Sequence, residues 1–213
     1  RQRTVRARAV ALLRDQIARD LHDDIGSNLG GILLLSEMGS RHSGDAQARE
    51  DFATIREAAE GTSQSMQDIV WLIERGNTGL RELVARMRRS TQVILGEEGV
   101  SLTVDPLEIR DRELSLFFRR HVFFAFKETL NNVRKHAGAD TVEVRIAIDA
   151  RELRFEVRDE GVGFDPQQAS QSGHGIANLR RRTELLKGEC MVKSSPGQGT
   201  CVSFKAPFKS SLP

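Results

Sequence analysis

Leu13, Ile17, Leu21, Ile25, Leu29 and Leu33 recur every four residues. That spacing lays one apolar stripe along a helix running from Val5 to Leu35. Gly39-Ser40-Arg41-His42-Ser43-Gly44-Asp45 breaks the pattern. Beyond it, Phe52, Ile55, Ala59, Thr62, Met66, Ile69 and Ile73 alternate steps of three and four, the heptad spacing of a bundle. Two long amphipathic helices with a short connection make a helical hairpin. One hairpin cannot cover both stripes. Two can, as a four-helix bundle, so the pattern predicts a homodimer. The competing arrangement packs the stripes on the second domain of the same chain.

Gly76-Asn77-Thr78-Gly79 reads as a linker, dividing the chain into domains over 1–75 and 80–213. The period then changes. Leu80 to Leu95 reads as a helix, Val100 to Val104 as a short strand before Pro106, and Arg112 to Ala137 as a long helix. Val142, Val144, Ile146 and Ile148 alternate with polar residues or Ala, as do Leu153, Phe155 and Val157. These are two strands with one buried face each, turning at Asp149-Ala150-Arg151. Gly175 to Leu186 is helical again. Cys190 to Ser194 and Thr200 to Ala206 close a hairpin around Pro196-Gly197-Gln198-Gly199. Strands in one layer and helices in the other predict an α+β sandwich.

Composition narrows the class. Of 213 residues, 38% are apolar and 29% charged, which suits one or two soluble domains. A net charge of +2 with both signs interspersed gives no reason to expect a nucleic-acid partner. The only cysteines, Cys190 and Cys201, form no disulfide framework and lack metal-ligand spacing. No apolar run has membrane-spanning length. The chain starts at Arg1, already inside a helical pattern. It reads as a cytoplasmic fragment, held at a membrane only through a preceding sensory region if at all.

Two groups of residues carry chemistry. The first is His22, in Arg19-Asp20-Leu21-His22-Asp23-Asp24-Ile25-Gly26. A nucleophilic imidazole needs one ring nitrogen exposed and the other held as a donor. Asp23 can accept from Nδ1–H and raise nucleophilicity at Nε2. Gly26, one turn on, leaves room above the ring. The second group lies a hundred residues later. Glu128, Asn132 and His136 are spaced four apart and share a helix face. The Asn132 carbonyl suits a hard cation such as Mg²⁺, and Glu128 can order a metal-bound water. Lys135 and His136 can meet phosphate oxygens.

Asp159 ends a strand. Its carboxylate accepts hydrogen bonds but donates none, which suits the exocyclic amine of adenine and rejects the carbonyl of guanine. Gly161 and Gly163 allow a tight turn toward the base. Polar residues 167–172 precede Gly173-His174-Gly175, which opens a helix whose backbone N–H groups favour phosphate. That stretch reads as a lid. Arg180, Arg181 and Arg182 follow and can reach phosphates.

The order and spacing of these motifs resembles the ATP-binding domain shared by sensor histidine kinases, Hsp90-type chaperones, type II topoisomerases and MutL-type repair proteins. The resemblance covers roughly Leu80 to Phe208. It implies that Asn132 binds Mg²⁺, Asp159 binds adenine, the glycine segments form the lid, and Thr200 supports Asp159. The Arg19–Gly26 segment resembles the phosphoacceptor box of the histidine kinases partnered with LuxR/NarL-type response regulators. That implies phosphorylation of His22 by ATP, with Asp23 as base or orienter, and transfer to an aspartate of a receiver domain. Two other readings stand beside it. One is an ATP-hydrolysing clamp; the other is a dimer whose shape nucleotide sets without phosphotransfer.

One position departs from the family pattern. Many relatives carry Gln or His four residues after the Asp, where it positions water for removing phosphate from the regulator; here that residue is Ser27. A hydroxyl reaches less far, so phosphatase activity is expected to be weak or absent. Mixed with phosphorylated regulator and no ATP, the chain should leave the phosphate in place. Fast dephosphorylation that depends on Ser27 would overturn this expectation.

Overall fold

A computed structural model describes residues 25–74, 78–165 and 174–208. The chain divides into two units after Asn77. In the first, helix α1 spans Gly26–His42 and α2 spans Ala46–Ile73. They pack against each other as the predicted hairpin. Asp45 caps α2, its Oδ1 accepting from the Gln47 N–H at 3.1 Å. The pattern places a break at Gly39, yet α1 runs one turn further. Gly39 is an interior contact. A Cβ there would run into the Phe52 ring of α2, so the bare Cα lets the helices approach. Only Ser43, Gly44 and Asp45 remain as the turn.

Leu29, Ser36, Ala59 and Met66 are buried. Ile32, Leu34, Leu35, Met38, Ile55 and Ile69 are exposed to between 42% and 67%. Helix pairing alone therefore leaves much of the apolar surface uncovered. The upstream part of the first predicted helix, with His22 and Asp23, lies outside the described residues.

The second unit starts at Thr78. Helix α3 (Leu80–Leu95), strand β1 (Val100–Asp105) and helix α4 (Leu116–Asn132) come first. A π-helical turn, Val133–Ala137, extends α4. Strands β2 (Val142–Ile148) and β3 (Glu152–Asp159), helix α5 (His174–Leu185), and strands β4 (Glu189–Ser194) and β5 (Thr200–Pro207) complete it. The sheet order is β1-β2-β3-β5-β4, with β1 and β2 parallel and the other pairs antiparallel.

Two boundaries differ from the sequence pattern for one reason. Gly79 belongs to the fold instead of a linker: it is buried and bridges Glu113. Beside it, the Leu114 N–H donates to the Thr78 carbonyl at 2.8 Å and the Leu80 N–H to the Arg112 carbonyl at 2.9 Å. Those bonds hold residues 112–114 extended, so α4 cannot begin at Arg112. It begins after Ser115, whose Oγ caps it by accepting from the Phe118 N–H at 3.1 Å.

Alternation along the strands separates the sheet faces. Val142, Val144, Ile146, Leu153, Phe155, Val157, Phe204 and Ala206 are buried on one face. Glu143, Arg145, Glu156, Arg154 and Arg158 occupy the other, where Arg145 pairs with Glu143 at 2.6 Å and Arg154 with Asp149 at 2.7 Å. The helices cover the apolar face. At its centre Phe126 of α4 meets Phe155 edge-on at 5.2 Å, and Phe155 stacks on Phe204 at 4.6 Å with 10° between planes. Each such pair contributes about 0.5–1.5 kcal/mol beyond area burial. Phe155→Ala should cost about 3–5 kcal/mol, read as a fall in the urea midpoint of the second unit. A loss below about 1 kcal/mol would show that α4 is held elsewhere.

Candidate nucleotide site

A cavity of about 620 Å³ opens between α4, α5 and the ends of β3, β4 and β5. That is a typical size for a small-molecule site. Glu128, Asn132, Lys135, His136, Asp159, Gly163, Gly175 and Thr200 all line it. These residues span over seventy positions of sequence and converge on one space. Val157, Ile176, Leu179, Val192 and Val202 form apolar walls, and Phe164 lies beside them. Asn131, next to Asn132, also lines the cavity and was not legible as a site residue from spacing.

Glu128 and Asn132 sit one turn apart on α4. They face the start of α5, where a Cβ on Gly175 would come within 2.7 Å of Glu128 Oε1 and 3.3 Å of the Asn132 carboxamide. The next turn is π-helical. Its extra residue per turn changes the phase of the helix, so the i, i+4 spacing from Asn132 to His136 no longer guarantees one shared face. Lys135 and His136 still line the cavity, and both are solvent-exposed. Gly173 lies outside the described residues, as does the side chain of His174, the first residue of α5.

Asp159 is the last residue of β3 and only 5% exposed. Its Oδ1 accepts from the Gly161 N–H at 3.0 Å and from the Thr200 N–H at 3.2 Å. Two backbone donors thus fix the carboxylate plane. Gly161 does this from the edge of the site and is not among the residues that line the cavity. Thr200 holds Asp159 through its backbone; its hydroxyl pairs with Ser194 Oγ at 2.9 Å. Ser194 also accepts from the Phe164 N–H at 2.9 Å and donates to the Gly199 carbonyl at 3.0 Å. Spacing gave no signal for Ser194. Its inward position on β4, paired with Thr200 on β5, was the one available clue.

Cations gather beyond the Glu128 end. The Arg182 guanidinium lies over the Phe124 ring at 5.2 Å, a cation–π contact. Burial, then Arg120, lowers the pKa of Arg182, while the Glu128 carboxylate opposes that shift and Arg181 adds to it. His121 stacks edge-on against Phe117 at 4.4 Å. Burial, followed by Arg182, Arg120 and Arg181, holds its pKa below the usual imidazole value. Of the three consecutive arginines, Arg182 is half-buried while Arg180 and Arg181 are exposed, and none of them lines the cavity.

Glu128 and Asn132 offer two oxygen donors. Among the described residues, no cluster of three or more His, Cys, Asp or Glu gathers. Mg²⁺ keeps several waters and is commonly held by one or two protein oxygens together with substrate phosphates. The donors therefore fit a cation that arrives with a nucleotide, without forming a cage of their own.

Residues 119–210 match the family described as histidine kinase-, DNA gyrase B- and HSP90-like ATPase. Residues 14–78 match a histidine kinase family. The chain is 25% identical over 202 residues to the signal transduction histidine-protein kinase/phosphatase DegS of Brevibacillus brevis, covering 92% of this chain and 51% of that one. It is 26% identical over 206 residues to the sensor histidine kinase LiaS of Bacillus subtilis, covering 92% and 54%. With DesK of the same species it shares 26% over 186 residues, covering 86% and 48%. The chain thus spans about half the length of these relatives. Among solved structures, the histidine kinase domain of the Erythrobacter litoralis EL346 blue-light activated kinase superposes with a TM-score of 0.53 at 16% identity, covering 85% of this chain and 94% of that one. The Acinetobacter baumannii histidine kinase AdeS gives 0.51 at 13%, covering 89% and 98%. These likenesses concern the fold.

Gly163 offers the sharpest test of the cavity. It has φ +60°, and a Cβ there would run into the Ser195 carbonyl. Gly163→Ala adds about 1–2 kcal/mol of backbone strain and pushes the loop after β3 away from the turn between β4 and β5. Adenine nucleotide affinity should fall at least about ten-fold, a 1.4 kcal/mol effect, in a titration with ADP. Unchanged affinity would place the base elsewhere.

Proposed function

Because the chain belongs to the sensor histidine kinases, matching a histidine kinase family over residues 14–78 and the ATPase family over residues 119–210, we propose that it is a kinase core that phosphorylates His22 from ATP and passes the group to an aspartate of a response regulator. The observation that carries this reading is the convergence of Glu128, Asn132, Asp159 and Thr200 on one cavity, in a chain that also holds the His22-Asp23 pair. No described helix is long and apolar enough to cross a membrane. We place the core in the cytoplasm, where ATP and receiver domains are found.

In this proposal adenine enters the apolar part of the cavity, and its exocyclic amine donates to Asp159. The triphosphate runs toward Asn132, Lys135, His136 and the start of α5, where backbone N–H groups favour anions. Asn132 would hold Mg²⁺, which neutralises phosphate charge when bound, with Glu128 placed to order a metal-bound water. Asp23 accepts from the His22 Nδ1–H and keeps Nε2 as the nucleophile. The Nε2–P bond forms as the bridging P–O bond to the β-phosphate breaks, and ADP leaves. A receiver carboxylate then attacks the same phosphorus. An O–P bond forms, the N–P bond breaks, and neutral His22 is regenerated. Glu128 is the group placed to accept a proton or order water at the phosphate end.

Two copies complete the proposal. Ile32, Leu34, Leu35, Met38, Ile55 and Ile69 leave an apolar surface that a second hairpin would cover as a four-helix bundle. The regulator is expected to be of the LuxR/NarL type, docking near His22. Ser27 lies in the first turn of α1, and its short side chain keeps reverse phosphatase chemistry weak in this reading.

Incubation with γ-labelled ATP and Mg²⁺ should give acid-labile label on the intact chain and none on His22→Gln. Asp159→Asn should reduce labelling by at least about ten-fold by replacing an acceptor with a donor at the base. Label that persists in His22→Gln would assign a different acceptor. ATP hydrolysis without any phosphoprotein would favour the clamp reading.

A further inference from the structure

Ser194 spends its whole hydrogen-bonding capacity within the fold. A hydroxyl has one proton and two lone-pair sites. Its Oγ accepts from the Phe164 N–H at 2.9 Å and gives its proton to the Gly199 carbonyl at 3.0 Å. In the remaining contact, 2.9 Å to Thr200 Oγ1, Ser194 has no proton left to give. Thr200 must therefore donate, and its own single proton points at Ser194. Thr200 and Asp159 are register partners across β3 and β5, and both line the cavity.

From this geometry we infer that Ser194 sets the base specificity of the nucleotide site by locking the proton of Thr200 away from the ligand. The wall of the cavity formed by Asp159 and Thr200 then presents only acceptors. An amino group with two N–H bonds satisfies such a wall. A carbonyl oxygen at the same position meets two sets of lone pairs and no donor. Ser194 touches no ligand in this scheme; it is a positioning residue acting through Thr200. The same hydroxyl ties the Phe164 backbone to the turn at Gly199, so it also fixes the spacing between two walls of the site. The inference rests on the adenine nucleotide reading above and deepens it.

The test compares ADP with inosine diphosphate, which carries an oxo group in place of the 6-amino group. Both are titrated by displacement of a fluorescent adenine nucleotide. The unaltered chain should prefer ADP. Ser194→Ala frees the Thr200 hydroxyl to rotate and donate, so the ADP:IDP affinity ratio should fall by about ten-fold, the scale set by one hydrogen bond to a base. Ser194→Thr keeps a hydroxyl and should restore most of the ratio. Thr200→Val retains the backbone bond to Asp159 and should lower the ratio by itself; adding Ser194→Ala to it should lower the ratio no further. That last comparison carries the test even if the single Ser194→Ala chain proves unstable. An unchanged ratio in Ser194→Ala, or a further fall in the double variant, would overturn the inference. Failure of the unaltered chain to bind ADP would instead defeat the nucleotide reading beneath it.

Discussion

The contact of Phe126 with Phe155, and of Phe155 with Phe204, is the constraint on which the second unit depends. It pins α4 over the middle of the sheet. Glu128 and Asn132 follow Phe126 on the same helix, and Asp159 ends the strand that carries Phe155. The aromatic contact therefore fixes the distance between the two polar ends of the cavity. None of these rings needs to touch a ligand. Their role is to hold a carboxylate and a carboxamide on a helix opposite a carboxylate on a strand, without polar atoms of their own that would need partners.

Around that frame, the site is assembled by backbone more than by side chains. Asp159 is oriented by two N–H groups, from Gly161 and Thr200. Val162 donates to the Ala137 carbonyl at 2.8 Å and Gly197 to the Val162 carbonyl at 2.7 Å. Three segments far apart in sequence are thereby stitched together: the end of the π-helical turn, the loop after β3 and the turn between β4 and β5. The Ser194 hydroxyl adds a side-chain link to the same assembly. Interlocked backbone is difficult to shift, and a preorganised acceptor is worth more than a mobile one.

The two units use apolar surface differently. The second unit closes its own core, with Phe118, Val122, Phe123, Phe126, Phe155 and Phe204 almost fully buried. The hairpin leaves Leu34 and Leu35 about as exposed as surface residues, at 60% and 67%. Large apolar side chains grouped on a helix pair call for a partner surface. A pair of helices has too little interior to bury stripes on both outer faces. This is why the proposed dimer belongs to the hairpin and the proposed nucleotide chemistry to the second unit.

Much of this was legible in the sequence. The four-residue stripe and heptad steps determined the hairpin. Strict alternation determined which faces of β2 and β3 are buried, because a strand has a period of two whatever surrounds it. The motifs around Asn132, Asp159, Gly175 and Thr200 marked the cavity, since those residue types suit few other tasks in that order. Tertiary structure alone decided the rest. Gly39 read as a breaker, and only the Phe52 ring across the hairpin makes it a contact. Arg112–Leu114 read as helix, and only bonds to Thr78 and Leu80 keep it extended. The π-helical turn shifts the phase by which Lys135 and His136 reach the cavity, and no i, i+4 rule foresees it. Ser194 was invisible because its importance lies in bonds to Phe164, Gly199 and Thr200. Local patterns report what a residue does to its own helix or strand. They cannot report which distant backbone atom will take its proton.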